Sequence, residues 1–595
     1  MSDTRFTDED QQVMKSKTKH PFLRLLKYGI PQTGWFLLGL AIILMVTAIE
    51  LYQPVILADA VDGFVASKDV SGVIWCGVIY GLSIVAEFAL TYLQWMILVT
   101  ASQRIIFALR KDLFGHLTRL HVGFFNDNPV GRLVTRVTND CETVNQLFSE
   151  VIVFVLKGAF VLVGVMAMMI SYHALLSLYI FIVIPIIVAA TWMFTVGTRK
   201  IYRRMRAMIS ELNGFVAERI MGMEVVQTYG EEADVDQDFQ DRTEELRKVN
   251  MRQLMAFAFY SPISYVTNII ALGILIVVGG HMAIEGAVTI GTLVAFQRYI
   301  SKFFQPIADM AEQFNTIQSA MACSERIFWL LDTEPQVENQ EDAVSLEGLR
   351  GEIEFRNVWF AYKDEDWVLR DVTFRVAPGQ RVAFVGATGA GKTTIQSLIC
   401  RYYDIQKGQI LIDGIDIRRI RLEDLRGNIG EMLQDVFLFS GNVRDNIRLN
   451  ELSITDEQVK EAAETVNASA FIEALPDQYD HTVIERGAAF SAGQRQLLSF
   501  ARTLASRPSV LILDEATANI DTDTEILIQE ALGRLMEGRT TLIVAHRLST
   551  IRDVDNIIVL DHGRIVEEGD HQSLLAQHGV YYKLYQLSLK EGEIE

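Results

Sequence analysis

Six stretches of about twenty residues, nearly free of charge, fill the first half of the chain: roughly Trp35 to Ala60, Val73 to Ser102, Val151 to Tyr172, Leu175 to Val196, Pro262 to Ile284 and Val288 to Ile307. A hydrocarbon core takes about 20 residues of helix to cross. Lipid offers no hydrogen bonds, so each stretch must satisfy its backbone internally, which restricts it to a helix. An even count returns both termini to one side. Cations choose the side. Lys15, Lys17, Lys19, Arg24 and Lys27 precede the first stretch, and "RIIFALRKDLFGHLTRL" and "RKIYRRMRAM" follow the second and fourth. The links near 62–72, 172–174 and 280–287 carry few cations, so both termini and both long connections are expected in the cytoplasm.

Those connections, about 103–150 and 197–260, are too long for structureless loops. Their periodicity and sparse Gly and Pro, as in "MISELNGFVAERIMGMEVVQTYG", predict membrane helices continuing into the cytoplasm. Within "FFNDNPVGRLVTR", Asn128 and Pro129 predict a turn plus a short transverse helix. The amino terminus lacks an apolar core with a small-residue cleavage site, so no secretory signal is expected. Phe22 to Ile30 is basic and amphipathic and predicts a helix on the cytoplasmic membrane face.

The expected organisation is a cytoplasmic arm and interfacial elbow helix over 1–34, a six-helix membrane domain over 35–332, an acidic polar linker over 333–350, and a soluble α/β domain over 351–595. A net charge of -20 argues against a nucleic-acid partner, which needs clustered Lys and Arg. Cys76, Cys141, Cys323 and Cys400 stand singly, without metal-ligand spacing.

In the soluble part, "RVAFVGATGAGKTTIQSLIC" reads as strand, Gly-rich turn and helix, and Gly386, Gly391, Lys392 and Thr393 fit G-x-x-x-x-G-K-[ST]. In such a loop, Gly386, Ala387, Thr388, Gly389, Ala390 and Gly391 turn backbone N–H groups toward phosphate oxygens, and the helix opening at Lys392, Thr393 and Thr394 adds its positive end. Lys392 is expected on the β and γ phosphates of ATP and the Thr393 hydroxyl on Mg²⁺. Downstream, the apolar "VLIL" ends in Asp514 and Glu515. Beside a phosphate loop, Asp514 suits the metal and Glu515 suits deprotonation of the attacking water.

The order of these elements resembles an ATP-binding cassette (ABC) exporter of the type 1 fold along nearly the whole chain. The resemblance implies roles for Tyr362 in "VWFAY" (stacking on adenine), Gln434 in "EMLQDVFLFSG" (Mg²⁺ and the attacking water), His546 in "LIVAHRLST" (the γ phosphate) and Asp521 in "ATANID" (the loop sensing the second cassette). It also implies that "FFNDNPVGRLVTRVTND" and "NGFVAERIMGMEVVQTYG" are coupling helices that dock on the cassettes. "FSAGQ" resembles the signature LSGGQ, in which Ser491, Gly493 and Gln494 clamp ATP bound to the opposite cassette, so a second half-transporter is implied.

The signature departs from the family's pattern. Phe490 replaces Leu, Ala492 replaces the first Gly, and Ile484 stands where Gly usually precedes Glu-Arg-Gly. A methyl at 492 is expected to restrict backbone geometry and crowd the phosphate approach. With Lys392, Gln434, Asp514, Glu515 and His546 all present, the chain resembles the catalytically competent subunit of bacterial heterodimeric multidrug exporters. The implied partner has an intact signature and a weakened catalytic base. A homodimer that tolerates Ala492 is the alternative.

Charged residues inside membrane helices mark functional sites by default. Glu50 and Glu87 in the first two stretches, with the aromatics Trp95, Phe160 and Trp192, suggest a cavity for cationic amphiphiles; Lys157 in the third offers an ion pair instead. Six spans fused to the cassette exclude a soluble ATPase of DNA repair or translation. The expected function is export of hydrophobic or amphipathic compounds, multiple drugs among them, across a bacterial inner or plasma membrane. A lipid or peptide exporter and an ATP-gated channel are the alternatives.

Overall fold

A computed structural model describes residues 21–590, apart from 347, 433–435, 450, 452, 515–521 and 545–551. The chain divides into two compact units, residues 1–118 with 130–333 and residues 119–129 with 334–595.

The first unit is helical. A short helix α1 (Pro21–Gly29) leads into α2 (Thr33–Asp59), followed by α3 (Val70–Leu117). Past the six-residue α4 (Val122–Asp127), a helical run α5 (Val130–Phe181) carries π turns at Arg136–Asp140 and Leu147–Val151. Next come α6 (Ile184–Met221), α7 (Met223–Tyr229), α8 (Glu232–Ile274) with its π turn and tail to Ile284, and α9 (Ile290–Leu331). Among the described residues, Pro21–Val65, Val70–Leu117, Val130–Phe181 and Tyr265–Ile284 are long and apolar enough to cross a membrane. The two remaining predicted stretches fall within α5, α6 and α9.

Two breaks differ from the sequence reading. The expected link at 172–174 is a single non-helical residue, His173, at φ −159° and ψ 101°. A second interruption at Ile182 and Val183 divides the predicted fourth stretch, because Pro185 has no N–H and its ring clashes with the carbonyl of Phe181. In "FFNDNPVGRLVTR" helix flanks the turn on both sides: Asn128 is extended at φ −120° and ψ 115°, as a residue before proline prefers, so α4 stops at Asp127 and helix resumes at Val130.

The second unit is α/β. A six-stranded sheet has the order β12 (Arg564–Gly569), β11 (Asn556–Asp561), β3 (Arg381–Val385), β10 (Thr540–Val544), β9 (Val510–Asp514), β6 (Ile429–Met432). All but β12 run parallel. Both faces are covered, as parallel sheets require. Successive residues of β9 point to opposite faces, so Val510 and Ile512 join one apolar cluster while Leu511 and Leu513 join the other. A smaller antiparallel sheet, β2 (Trp367–Val376), β1 (Ile353–Ala361), β4 (Lys407–Ile412), β5 (Ile415–Asp416), adds Phe355 stacked on Phe374 at 4.5 Å, and β7 (Gly441–Asn442) pairs with β8 (Thr482–Val483).

Candidate nucleotide site and the intramembrane polar cluster

The parallel sheet assembles the site. Val544 pairs with both Phe384 and Asp514, and Met432 pairs with Leu513, so β3, β10, β9 and β6 end along one edge. The chain leaving these ends carries the phosphate-loop motif, His546, Glu515 and Gln434. Strand ends more than a hundred residues apart in the chain, those of β3 and β10, therefore lie side by side. Gln434, Glu515, Asp521 and His546 lie outside the described residues.

From β3 the chain turns through 386–391 into α10 (Lys392–Ile399). Two glycines are required there. A Cβ on Gly386 would sit 2.3 Å from the Leu560 carbonyl oxygen, and Gly391 has φ +104°, a left-handed value costly for other residues. Lys392 is only 6% exposed, and its ammonium donates to the carbonyls of Gly386 at 2.6 Å and Ala387 at 3.2 Å. Burial pulls its pKa down, and the Asp514 carboxylate opposes the shift. Thr393 is exposed in the first turn and Thr394 is buried. The hydroxyls of Thr394 and Tyr362 lie 3.1 Å apart, and burial raises the Tyr362 phenol. That bond ties the aromatic beyond β1 to the loop's own helix.

Helix α11 (Ala492–Ala505) begins with a reciprocal cap: Gln494 N–H donates to Ser491 Oγ at 3.1 Å, and Ser491 N–H donates to Gln494 Oε1 at 3.0 Å. Ala492 is the first helical residue and is exposed, so its methyl meets no backbone restriction. This corrects half of the expectation for Ala492; crowding by the methyl survives. Phe490 is buried against Phe471 and His481, so its exchange for Leu is a change in packing. Gly493 is buried beneath the turn, and Ile484 is exposed.

Residues 36–307 match the family model described as ABC transporter transmembrane region, and 369–518 match the one described as ABC transporter. YfiC, an uncharacterised ABC transporter ATP-binding protein of Bacillus subtilis, is 38% identical over 571 residues, covering 96% of this chain and 94% of its own. An ATP-dependent lipid A-core flippase of Syntrophus aciditrophicus is 35% identical over 573 residues, 96% of this chain and 95% of its own. YheH of B. subtilis, a probable multidrug resistance ABC transporter, is 36% identical over 534 residues, 87% and 77% respectively. The chain belongs to the ABC transporters. It is a membrane-embedded protein whose cassette binds ATP and couples its hydrolysis to transport.

In the transporter's membrane unit, Glu50 is not a free acid. Its carboxylate accepts from Lys157 Nζ at 2.7 Å, while Glu87 accepts from Gln53 Nε2 at 2.5 Å. A cation that the sequence reading did not weigh, Lys302 on α9, donates to the Glu50 carbonyl at 2.9 Å and lies 3.5 Å from Gln53 Oε1. Glu50 is thus ion-paired with Lys157, while the partner of Glu87 is a neutral amide. Trp95 is exposed and Phe160 half-buried; the Trp192 side chain lies outside the description. The clue to Lys302 was Pro54: a proline inside a membrane helix leaves the carbonyl four residues back, here that of Glu50, in need of a donor.

Proposed function

We propose that this transporter exports hydrophobic or amphipathic compounds, multiple drugs among them, by alternating access, as one half of an assembly that pairs it with a different subunit. The observation carrying this reading is the common edge of β3, β10, β9 and β6, from which the phosphate loop and the segments bearing Gln434, Glu515 and His546 depart. In this reading Gly386 to Thr394 cradle the phosphates of ATP, Lys392 turns its protons from loop carbonyls to phosphate oxygens, and Tyr362 stacks on adenine. Thr393 Oγ1, Asp514 and Gln434 would hold Mg²⁺, a donor set of hard oxygens that fits this ion. The ion supplies charge neutralisation at the phosphates when bound. Glu515 takes the proton of water as its oxygen bonds to the γ phosphorus; the bond to the bridging oxygen breaks, giving ADP and phosphate. His546 steadies the γ phosphate.

Ser491, Gly493 and Gln494 serve ATP on the partner, and Asp521 belongs to the loop facing it. Exposed Ala492 and Ile484 support a weakened second site. Both termini lie in the cytoplasm, as the cation distribution supports. Glu515→Gln should retain ATP binding and lower turnover about 10²–10⁴-fold, the usual share of a general base; substantial residual turnover denies it that role. Purified alone and reconstituted, this chain should hydrolyse ATP poorly, and vigorous drug-stimulated activity would overturn the two-subunit reading.

One observation favours a homodimer: Ala492 sits in ordinary helical conformation and leaves the cap of α11 intact. Relatives named as a lipid flippase and as a multidrug transporter are similar in identity, so a lipid cargo is the second reading.

A further inference from the structure

Next to the phosphate-loop helix, the carboxylate of Glu431 on β6 accepts a hydrogen bond at each oxygen. Gln396 Nε2, on α10, donates to Oε1 at 2.9 Å, and the Tyr402 hydroxyl, shortly past the end of that helix, donates to Oε2. Strand periodicity sets the direction. Ile429 joins the apolar cluster that Ile395, Leu398 and Ile399 of α10 help to fill, so Glu431, two residues on, faces the same helix. Gln396 in turn lies one helical turn beyond Lys392 and Thr393.

Folding alone gives little reason for this arrangement. Gln396 is 3% exposed, and its Oε1 has no partner among the described residues, which costs stability. Apolar side chains at 396 and 431 would fill the space without that cost. Apolar contacts slide, however, whereas hydrogen bonds fix a distance and a direction. Arg426 adds to the fixing: it lies 5.5 Å over the Tyr402 ring and donates to the carbonyls of Cys400 at 3.3 Å and Arg401 at 2.9 Å. In the sheet, β10 and β9 separate β3 from β6, so the phosphate loop and the end of β6 are not neighbours through the strands. The Gln396–Glu431 bond joins them directly.

We propose that Glu431 is a positioning residue for the Mg²⁺ site, fixing where the chain leaves β6 for Gln434 relative to Thr393 on α10. The proposal rests on the reading in which Thr393 and Gln434 both hold the ion. Gln434 stands three residues beyond Glu431 in the chain, and Thr393 stands three before Gln396 on the helix. The two oxygen ligands thus come from elements that one carboxylate joins. Mg²⁺ accepts only near-octahedral ligand geometry, so a loosened joint weakens its binding while the backbone cradle for the phosphates stays as it was.

The test compares binding of a fluorescent ATP analogue to the assembled transporter in Mg²⁺ and in EDTA. In the wild type Mg²⁺ should tighten binding. Glu431→Val should reduce that gain about tenfold, the lower end for residues that orient metal ligands, and leave affinity in EDTA unchanged. Gln396→Leu, which cuts the joint on the α10 side, should do the same, and the double variant should be no worse than either. Glu431→Gln, whose amide still bonds to both neighbours, should bind as the wild type does. A wild-type Mg²⁺ gain in Glu431→Val, or in Gln396→Leu should the valine variant not assemble, overturns the proposal. An equal loss in Mg²⁺ and in EDTA also overturns it, because that is what a purely structural role gives. So does a loss in Glu431→Gln as deep as in the valine variant, since there the joint is kept. Thr393→Ala separates the two readings. An undiminished Mg²⁺ gain in that variant sinks the metal reading, whereas a gain lost there and kept in the Glu431 and Gln396 variants sinks only the positioning.

Discussion

Lys302 Nζ donates to the backbone carbonyl of Glu50 at 2.9 Å, and Glu50 is the fourth residue before Pro54. An ammonium from α9 supplies the proton that the proline cannot, which lets α2 continue through it. Lys302→Met should destabilise the transporter by about 1–3 kcal/mol, the cost of a buried acceptor left without a partner. Pro54→Ala restores the backbone donor, so the double variant should recover part of that loss. Thermal unfolding in detergent measures both.

Glu50 and Lys157 should behave as a pair. Removing one charge leaves the other half-buried, so Glu50→Gln should cost roughly 2–4 kcal/mol, while Glu50→Gln with Lys157→Met should cost less than the single change. In everted vesicles, ethidium uptake by the double variant should match the wild type. Loss of uptake despite normal folding would restore the carboxylate to cation recognition.

Lys392→Met removes a cation whose protons are already gathered into the loop. Turnover should fall about 10²–10³-fold, as when a donor to transferring charge is lost. Binding of a fluorescent ATP analogue should weaken in parallel, with the melting temperature little changed.

Ala492→Gly tests the remaining half of the signature argument. The helical conformation of Ala492 means that glycine relieves no backbone strain and costs up to about 1 kcal/mol. A rise in ATPase rate of the assembled transporter would then come from the methyl alone. No rise removes Ala492 as a cause of asymmetry.

His571 Nδ1 lies 2.7 Å from Tyr581 Oη, and burial, aided by Arg552, lowers its pKa in the fold. The unfolded chain takes up this proton near pH 6.5 and the folded one only at lower pH, so this contribution is full above about 6.5 and is lost as pH falls through the folded value. Thermal melts between pH 5 and pH 8 should show the decline, flattened in His571→Asn.

Much of the site was legible as spacing. The phosphate-loop glycines declared themselves because close backbone approach leaves room for nothing else, as Gly386 against Leu560 shows. The charges of the membrane unit were legible only in part. Lys157 offered an ion pair in the sequence, but that Glu50 is the acid it meets, and that Lys302 reaches the Glu50 carbonyl, follow only because three helices pack there. The break before Pro185 was missed because apolarity runs across it.

By itself the sequence determined the helical membrane half, the α/β cassette and the chemistry of the phosphate loop, since hydropathy, glycine spacing and residue type are local properties that lipid and phosphate act on directly. Only the tertiary structure decided which strand ends share an edge, which lysine pairs with the Glu50 carboxylate and which reaches its carbonyl, and that α4 lies against Tyr403. Each of these depends on parallel pairing or packing between residues far apart in the chain, which local spacing does not encode.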